Sequence, residues 1–281
     1  DPAALAIGTN DYVLTSDGTD IAWEAASGGG GASDIDGLSD ALVENNSIWL
    51  GDDPSGTTDT AEYNVALGTT ALDAITTGGR NIAIGYNALT TLTDGPFNVA
   101  VGAHSLESLT DAQFNIAVGQ AAGIYSNGNY NTFLGAQAGR NKESGGPQTG
   151  SSNIAVGYYS MGAAVLTVAS GNTCVGNYSG YSIVDQLSNT YIGASAGAYH
   201  LGEYNTAVGV QALDNASTGG SNVAVGYQAL TACTSATNTA VGYQAGLGLT
   251  SGGNNTLIGY TAGTATSPSG AITTGSNIVC F

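Results

Sequence analysis

The chain carries few side chains that could perform acid–base or nucleophilic chemistry. His104 and His200 are its only histidines, and neither lies in a G-x-S-x-G or H-E-x-x-H motif. Glycosidase chemistry requires two facing carboxylates about 5–10 Å apart, whereas the acidic residues within 64–281 are scattered along the sequence. We therefore expect no catalytic residues and no enzymatic activity.

The sequence also lacks the patterns that hold metals or cofactors. Its three cysteines are widely spaced, with no C-x-x-C motif, which is typical of buried reduced thiols rather than of disulfides or zinc ligands: Cys174, Cys233 and Cys280. The aspartates of residues 34–53 fit no EF-hand pattern, and no Gly-Lys-Ser/Thr follows the glycines. We expect neither a metal nor a cofactor.

Charge divides the chain into two regions and excludes two classes of partner. Residues 1–63 hold 13 acidic residues and no Lys or Arg, while residues 64–281 hold 8 acidic residues against Arg80, Arg140 and Lys142. A net charge of −18 leaves no basic surface for nucleic acid or anionic lipid. No stretch approaches the about 18 consecutive apolar residues of a membrane span. We expect no nucleic-acid partner and no membrane partner.

A short repeat dominates the rest of the sequence. It reads Asn, then Ile/Val/Thr, usually Ala, Val/Ile/Leu and Gly, and it begins every 16 to 22 residues. NIVCF (277–281) looks like a further copy without the glycine, and SIWLG (47–51) like a degenerate first copy. The asparagines are Asn64, Asn81, Asn98, Asn115, Asn131, Asn153, Asn172, Asn189, Asn205, Asn222, Asn238 and Asn255, and the corner glycines include Gly68, Gly85, Gly102, Gly119, Gly226 and Gly242.

This repeat predicts an all-β fold, a parallel β-roll or solenoid of about 13 short repeats. Regular glycine among Val, Ile and Thr opposes helix and favours short strands. Within NIAIG (81–85), Ile82 and Ile84 share one face and Ala83 lies on the other. Because both faces are apolar, we expect one to line the interior and the alanine face to need an external cover. That external face is predicted to contain Ala66, Ala83, Ala100, Ala117, Ala155, Ala207, Ala224 and Ala240.

The simplest external cover is another copy of the chain, so we expect a closed homo-oligomer. At the strand spacing of about 4.8 Å the coils would form a rod on the order of 60 Å long. The repeated asparagines are expected to stack into a ladder that satisfies their amides between layers. A role for these asparagines in binding sugar or metal is the alternative.

Three segments carry a resemblance to a known family. NIAIGYNAL (81–89), NVAVGYQAL (222–230) and NTAVGYQAG (238–246) resemble the head repeats of trimeric autotransporter adhesins of the YadA type. The resemblance covers residues 47–281 and implies a left-handed, homotrimeric parallel β-roll. The repeats here are longer than is usual in that family, and we expect the additional residues to lie in loops.

A second resemblance concerns the context of the array. DYVLTSDGTDIAWEAASGGGG (11–31) resembles linkers of bacteriophage tail fibres, and SNIVCF (276–281) is similar to the approach to their self-cleaving chaperone. It implies a fibre shaft in the virion, with other tail proteins and a bacterial surface glycan or protein as partners. The alternative is the passenger head of a trimeric autotransporter adhesin, on the bacterial surface, binding host matrix or cells.

The sequence thus divides into an extended linker over 1–31, a short helical connector over 32–46 and the repeat domain over 47–281. The connector is predicted because Ile35, Leu38 and Leu42 would share one helical face.

Residues for receptor contact are expected outside the strands. Tyrosines that directly follow the corner glycine form an aligned set whose rings would either stack on sugars or cover the roll: Tyr86, Tyr158, Tyr227, Tyr243 and Tyr260. The longer loops 140–152 and 264–276 are the other candidates, because functional residues concentrate in loops. The first of these loops carries Arg140 and Lys142.

Overall fold

The computed structural model describes residues 12–16, 21–25, 41–51, 60–140, 149–162, 168–215, 218–267 and 270–281. Within the predicted linker, strands β1 (Tyr12–Ser16) and β2 (Ile21–Ala25) pair antiparallel. The remaining strands form one 15-stranded sheet in which neighbours in the chain are neighbours in the sheet. The described residues contain no helix.

The end of the predicted helical connector is a β-hairpin. Strand β3 (Ala41–Glu44) pairs antiparallel with β4 (Ser47–Gly51) at the edge of the sheet. Asn45 and Asn46 between them both have left-handed φ angles, as a two-residue hairpin turn requires. The predicted helix is therefore wrong over 41–46, because the asparagine pair turns the chain back, and residues 32–40 lie outside the described residues.

From β4 onward the strands are parallel, and each adds one coil to a β-solenoid. Almost all are three residues long, because the repeat asparagine precedes each strand and the corner glycine follows it. They are β5 (Val65–Gly68), β6 (Ile82–Ile84), β7 (Val99–Val101), β8 (Ile116–Val118), β9 (Thr132–Leu134), β10 (Ile154–Val156), β11 (Thr173–Val175), β12 (Thr190–Ile192), β13 (Thr206–Val208), β14 (Val223–Val225), β15 (Thr239–Val241), β16 (Thr256–Ile258) and β17 (Val279–Cys280).

The register repeats without a slip, so equivalent residues of successive coils lie above one another. Ala83 pairs with Ala100 and Ile84 with Val101. The same backbone hydrogen bonds recur at every step: the Ile82 amide donates to the Asn98 carbonyl of the following coil at 2.8 Å, and the Gly85 amide donates to the Leu67 carbonyl of the preceding coil at 2.8 Å. The predicted all-β parallel solenoid is confirmed.

The prediction of which strand face lies inside the solenoid is wrong. Ala83 is fully buried inside its coil, whereas Ile82 on the outer face is 38% exposed. The same holds for the whole predicted external set, since all eight alanines are buried: Ala66, Ala83, Ala100, Ala117, Ala155, Ala207, Ala224 and Ala240. The interior is narrow and must also hold residues from beyond the corner, so the face whose middle residue is most often alanine lies inside. The β-branched face is the one that lies outside.

In most coils the middle strand residue and the fourth residue after the corner are matched in volume. Where both are small, as at Ala117 and Gly123, a side chain of a neighbouring coil such as Phe133 fills the space. Where the middle residue is Ala83, the other position is the buried Leu89. Where the middle residue is Phe133, the other position is Gly139, and a Cβ built there would overlap the Phe133 ring. The same exchange occurs at Tyr191 with Gly197. This pairing keeps the core full although its individual residues vary in size.

The volume match predicts a strong coupling between Phe133 and Gly139. F133A leaves a cavity and should cost about 3–5 kcal/mol, while G139L should overpack the coil. Leucine tolerates the backbone there, since Leu89 has φ 53° and Gly139 φ 60°. We expect the double variant F133A/G139L to recover on the order of 1–3 kcal/mol relative to the sum of the single variants.

Urea unfolding of the four proteins measures this coupling. Strict additivity of the two single changes would contradict the volume match.

Candidate functional site

The repeat asparagines form the predicted ladder inside the solenoid. The Asn81 amide donates to Oδ1 of Asn64 at 2.8 Å, and the Asn98 amide donates to Oδ1 of Asn81 at 2.8 Å. Nδ2 of Asn81 donates to the Gly95 carbonyl at 3.0 Å. All twelve are buried, and a side chain that is enclosed and hydrogen-bonded in this way is structural rather than a site for sugar or metal.

The two ends of the ladder show how the flanking copies fit. Ser47 takes the asparagine position of the first copy, since its Oγ accepts from the Asn64 amide at 2.8 Å. At the other end the Ile278 amide donates to Oδ1 of Asn255 at 2.9 Å. Ile278, not Asn277, therefore occupies the asparagine position, and the predicted register of the last copy is wrong by one residue. The sequence does not reveal this shift, because Asn277 and Ile278 match the first two positions of the repeat.

The corner glycines are required by backbone geometry. Gly68 has φ 131°, and a Cβ built there would meet the backbone carbon of Gly85 in the next coil at 2.9 Å. Gly85 stands in the same relation to Gly102. A side chain would therefore separate the stacked coils, which explains the strict spacing of glycine in the repeat.

The tyrosines after the corner do not converge on one site. Tyr227, Tyr243 and Tyr260 stack, with ring centroids 5.2 Å apart at each step. Tyr86 meets His104 edge to face at 5.1 Å, and Tyr158 meets Tyr159 in the same way at 4.6 Å. Of the three stacked rings only Tyr243 has a neighbour on both faces, and all five tyrosines remain exposed on the surface of the roll.

A second exposed column was not predicted. It lies directly before the repeat asparagine, at positions with φ near +60°. The Arg80 guanidinium lies between the Tyr63 and Phe97 rings, at 5.2 and 5.4 Å. Phe114 continues the stack, 4.8 Å from Phe97 and 5.3 Å from Tyr130. The signal in the sequence is an aromatic residue or arginine before five successive repeat asparagines, and the cation–π and stacking contacts stabilise the coil stack.

A groove lies on the surface formed by the side chains that follow the corner glycines. It has a volume of about 280 Å³ and is lined by His104, Glu107, Gln120, Ala121, Ile124, Tyr125, Gln137 and Arg140. Arg140, a predicted contact residue, lines this groove, and Lys142 lies outside the described residues. Residues 141–148 of the loop 140–152 and 268–269 of the loop 264–276 also lie outside them.

The groove has groups of both charges held in place by hydrogen bonds. Nδ1 of His104 lies 2.8 Å from Oε2 of Glu107, whose Oε1 accepts from Nδ2 of Asn87 at 3.1 Å. Nη1 of Arg140 donates to Oε1 of Gln137 and to the Tyr159 hydroxyl, both at 3.0 Å. Such fixed polar groups around a cavity are what a small polar ligand requires.

The interior holds titratable groups that are shielded from solvent. Nε2 of His200 donates to the Gly219 carbonyl at 2.8 Å, where other coils use the repeat asparagine, as in Asn222 with Ser235. Burial lowers the pKa of His200, against the opposing effect of that hydrogen bond. Burial also raises the pKa of the Cys174 thiol, which is inert in this setting.

The parts of the chain that the structure describes offer no group of three His, Cys, Asp or Glu residues that could hold a metal. Those same parts contain no helix that is long and apolar enough to cross a membrane. Comparison with models of known protein families, with curated proteins and with solved structures finds no match.

The buried imidazole predicts a loss of stability in mild acid. Because the folded-state pKa of His200 lies below the unfolded value of about 6.5, the unfolded chain binds more protons as the pH falls below that value. The free energy of unfolding should then decrease by up to about 1.4 kcal/mol per pH unit, until the folded-state pKa is reached.

H200L should remove this part of the pH dependence, since leucine occupies the equivalent position at Leu249 and the Asn205 amide can take over the Gly219 carbonyl. Urea unfolding of both proteins between pH 7.5 and 5 measures the difference. Parallel curves for the wild type and H200L would refute the assignment.

Proposed function

We propose that this chain is the shaft of a bacteriophage tail fibre, in which three copies associate as left-handed rolls. Its repeats resemble the heads of trimeric autotransporter adhesins, and residues 11–31 resemble tail-fibre linkers. The structural observation that supports self-association is an apolar strand face that lies on the outside of the solenoid.

This outer face is continuous along the rod. In every coil the first and third strand residues point outward, and most of them are Val, Ile, Leu or Thr. Its most exposed apolar members include Val65, Leu67, Ile82, Ile116, Val118, Leu134, Ile154, Ile192, Val223, Val241 and Ile258. An apolar stripe on the order of 60 Å long at the strand spacing is a surface of the kind that marks an interaction site.

A second copy of the chain is the partner that fits this stripe best. Its side chains repeat once per coil, and an identical solenoid offers the same repeat along its whole length. Closed symmetry then buries every stripe without leaving one exposed, as a homotrimer does. The face that drives assembly is thus the β-branched one, not the alanine one.

The function that follows is mechanical and adhesive, without catalysis. Continuous backbone pairing and buried asparagines make a stiff spacer that holds receptor-binding surfaces away from the virion. Its partners are other tail proteins and a glycan or protein on the bacterial surface. A passenger head of an autotransporter adhesin would share the trimer, and binding to host matrix instead of to bacterial cells would identify that alternative.

The assembly predicts a native mass close to three times 27.7 kDa, measured by light scattering after size exclusion. The variant I116E/V118E places charges on two outer residues that are 42% and 40% exposed, and it should shift the mass toward 27.7 kDa. V168E alters an exposed apolar residue outside the strands and should leave the mass unchanged. A monomeric wild-type protein would refute the trimer.

A further inference from the structure

We infer that the groove around Ala121 binds a single sugar unit that carries a carboxylate, such as a uronic acid residue of a bacterial surface polysaccharide. This inference rests on the proposed role in host attachment and assigns to it a site and a ligand class. The groove lies beyond the corner glycine Gly119, which separates it from the strand face used for assembly.

The groove exists because one side chain is missing from a column. The second residue after the corner has a left-handed φ in every described coil, and in successive coils it is Asn87, His104, Ala121 and Gln137. Ala121 leaves a gap one coil deep between His104 and Gln137.

Further along the solenoid, from Gln211 to Gln244, the same column is closed by a ladder of glutamines. Nε2 of Gln228 donates to Oε1 of Gln211 at 3.0 Å, and Nε2 of Gln244 donates to Oε1 of Gln228 at 2.8 Å. The gap at Ala121 is therefore a local feature of this part of the solenoid and not a property of the repeat.

The lining has the composition of a sugar site. Gln120 and Gln137 present planar amides, Glu107 presents acceptors, and Ile124 and Tyr125 add apolar surface. Polyhydroxylated rings bind through several donors and acceptors together with one apolar or aromatic surface. A volume of about 280 Å³ is at the low end for ligand pockets, which fits one sugar ring rather than an extended chain.

Arg140 specifies the charge of the ligand. Its hydrogen bonds to described residues go to two neutral groups, the Gln137 amide and the Tyr159 hydroxyl. None of the described carboxylates forms an ion pair with it, although the chain has 21 acidic residues and only three Lys and Arg. A guanidinium held at the edge of a polar groove binds a carboxylate strongly and with defined geometry.

The opposite end of the groove selects hydroxyl groups. Glu107 already binds His104 and Asn87, and it lies two coils from Arg140, roughly 10 Å at the strand spacing. An anionic group at the Glu107 end would be repelled. The ligand is therefore oriented with its carboxylate toward Arg140 and its hydroxyls toward Glu107.

The test compares acidic and neutral sugars on the full chain. Saturation-transfer NMR titrations use methyl β-D-glucuronide and methyl β-D-galacturonide as acidic probes and methyl β-D-glucoside as the neutral one. We expect at least one acidic probe to bind about tenfold or more tightly than the glucoside. R140Q, which keeps a donor but removes the charge, should abolish that preference.

A121Q provides the matched structural variant. Glutamine has the same left-handed φ at Gln137, Gln211 and Gln228, so A121Q should fold normally while closing the gap. It should reduce uronide binding tenfold or more. Q228A opens a comparable gap between Gln211 and Gln244 without an arginine and should gain no uronide binding.

Each outcome decides between the inference and the function on which it rests. Binding that A121Q leaves unchanged, equal binding of acidic and neutral probes, or no binding by a trimeric sample would overturn the uronate site while leaving the trimeric shaft intact. A monomeric native mass would overturn the shaft, and it is measured on the same samples without any sugar.

Discussion

The close approach of successive backbones at the corner is the constraint on which the rest of the structure depends. Where Gly68 lies against Gly85 no side chain fits, and this contact sets the same step for every coil. The Asn64 and Asn81 side chains can then bridge neighbouring coils, each accepting a hydrogen bond of 2.8 Å from the next coil. A larger residue at one corner would separate the coils on one side and break the asparagine ladder beside it.

Because successive coils are stacked at a fixed spacing, the solenoid is narrow and its hydrophobic core runs along its whole length. Each coil buries only a few side chains, so a vacancy in one coil is filled by a neighbour. Phe133 covers both Gly123 below it and Gly139 in its own coil. The same thinness leaves one strand face without cover, and it gives the fibre proposal its physical basis.

The sequence predicts the coil order, the asparagine ladder and the corners, because these depend on residues that recur at one period. It does not predict which strand face is buried, since Ile82 and Ala83 are both apolar and alternation alone cannot rank them. Volume in the coil decides that question. Two features depend on differences between repeats: the column of aromatic rings and arginine through Arg80, and the groove at Ala121. The common pattern of the repeat does not contain these differences, so it cannot predict either feature.

The volume match between neighbouring coils has a consequence for how such a rod changes during evolution. Duplication or loss of whole coils alters the length of the solenoid in steps of one strand spacing and leaves the main-chain pairing intact. The junction must still be compatible, because a coil that has alanine in the middle of its strand and glycine at the fourth position needs a bulky residue from a neighbouring coil, as Gly246 has in Leu257. Recombination is therefore restricted to breakpoints that keep such pairs together, and length varies more freely than the order of coil types.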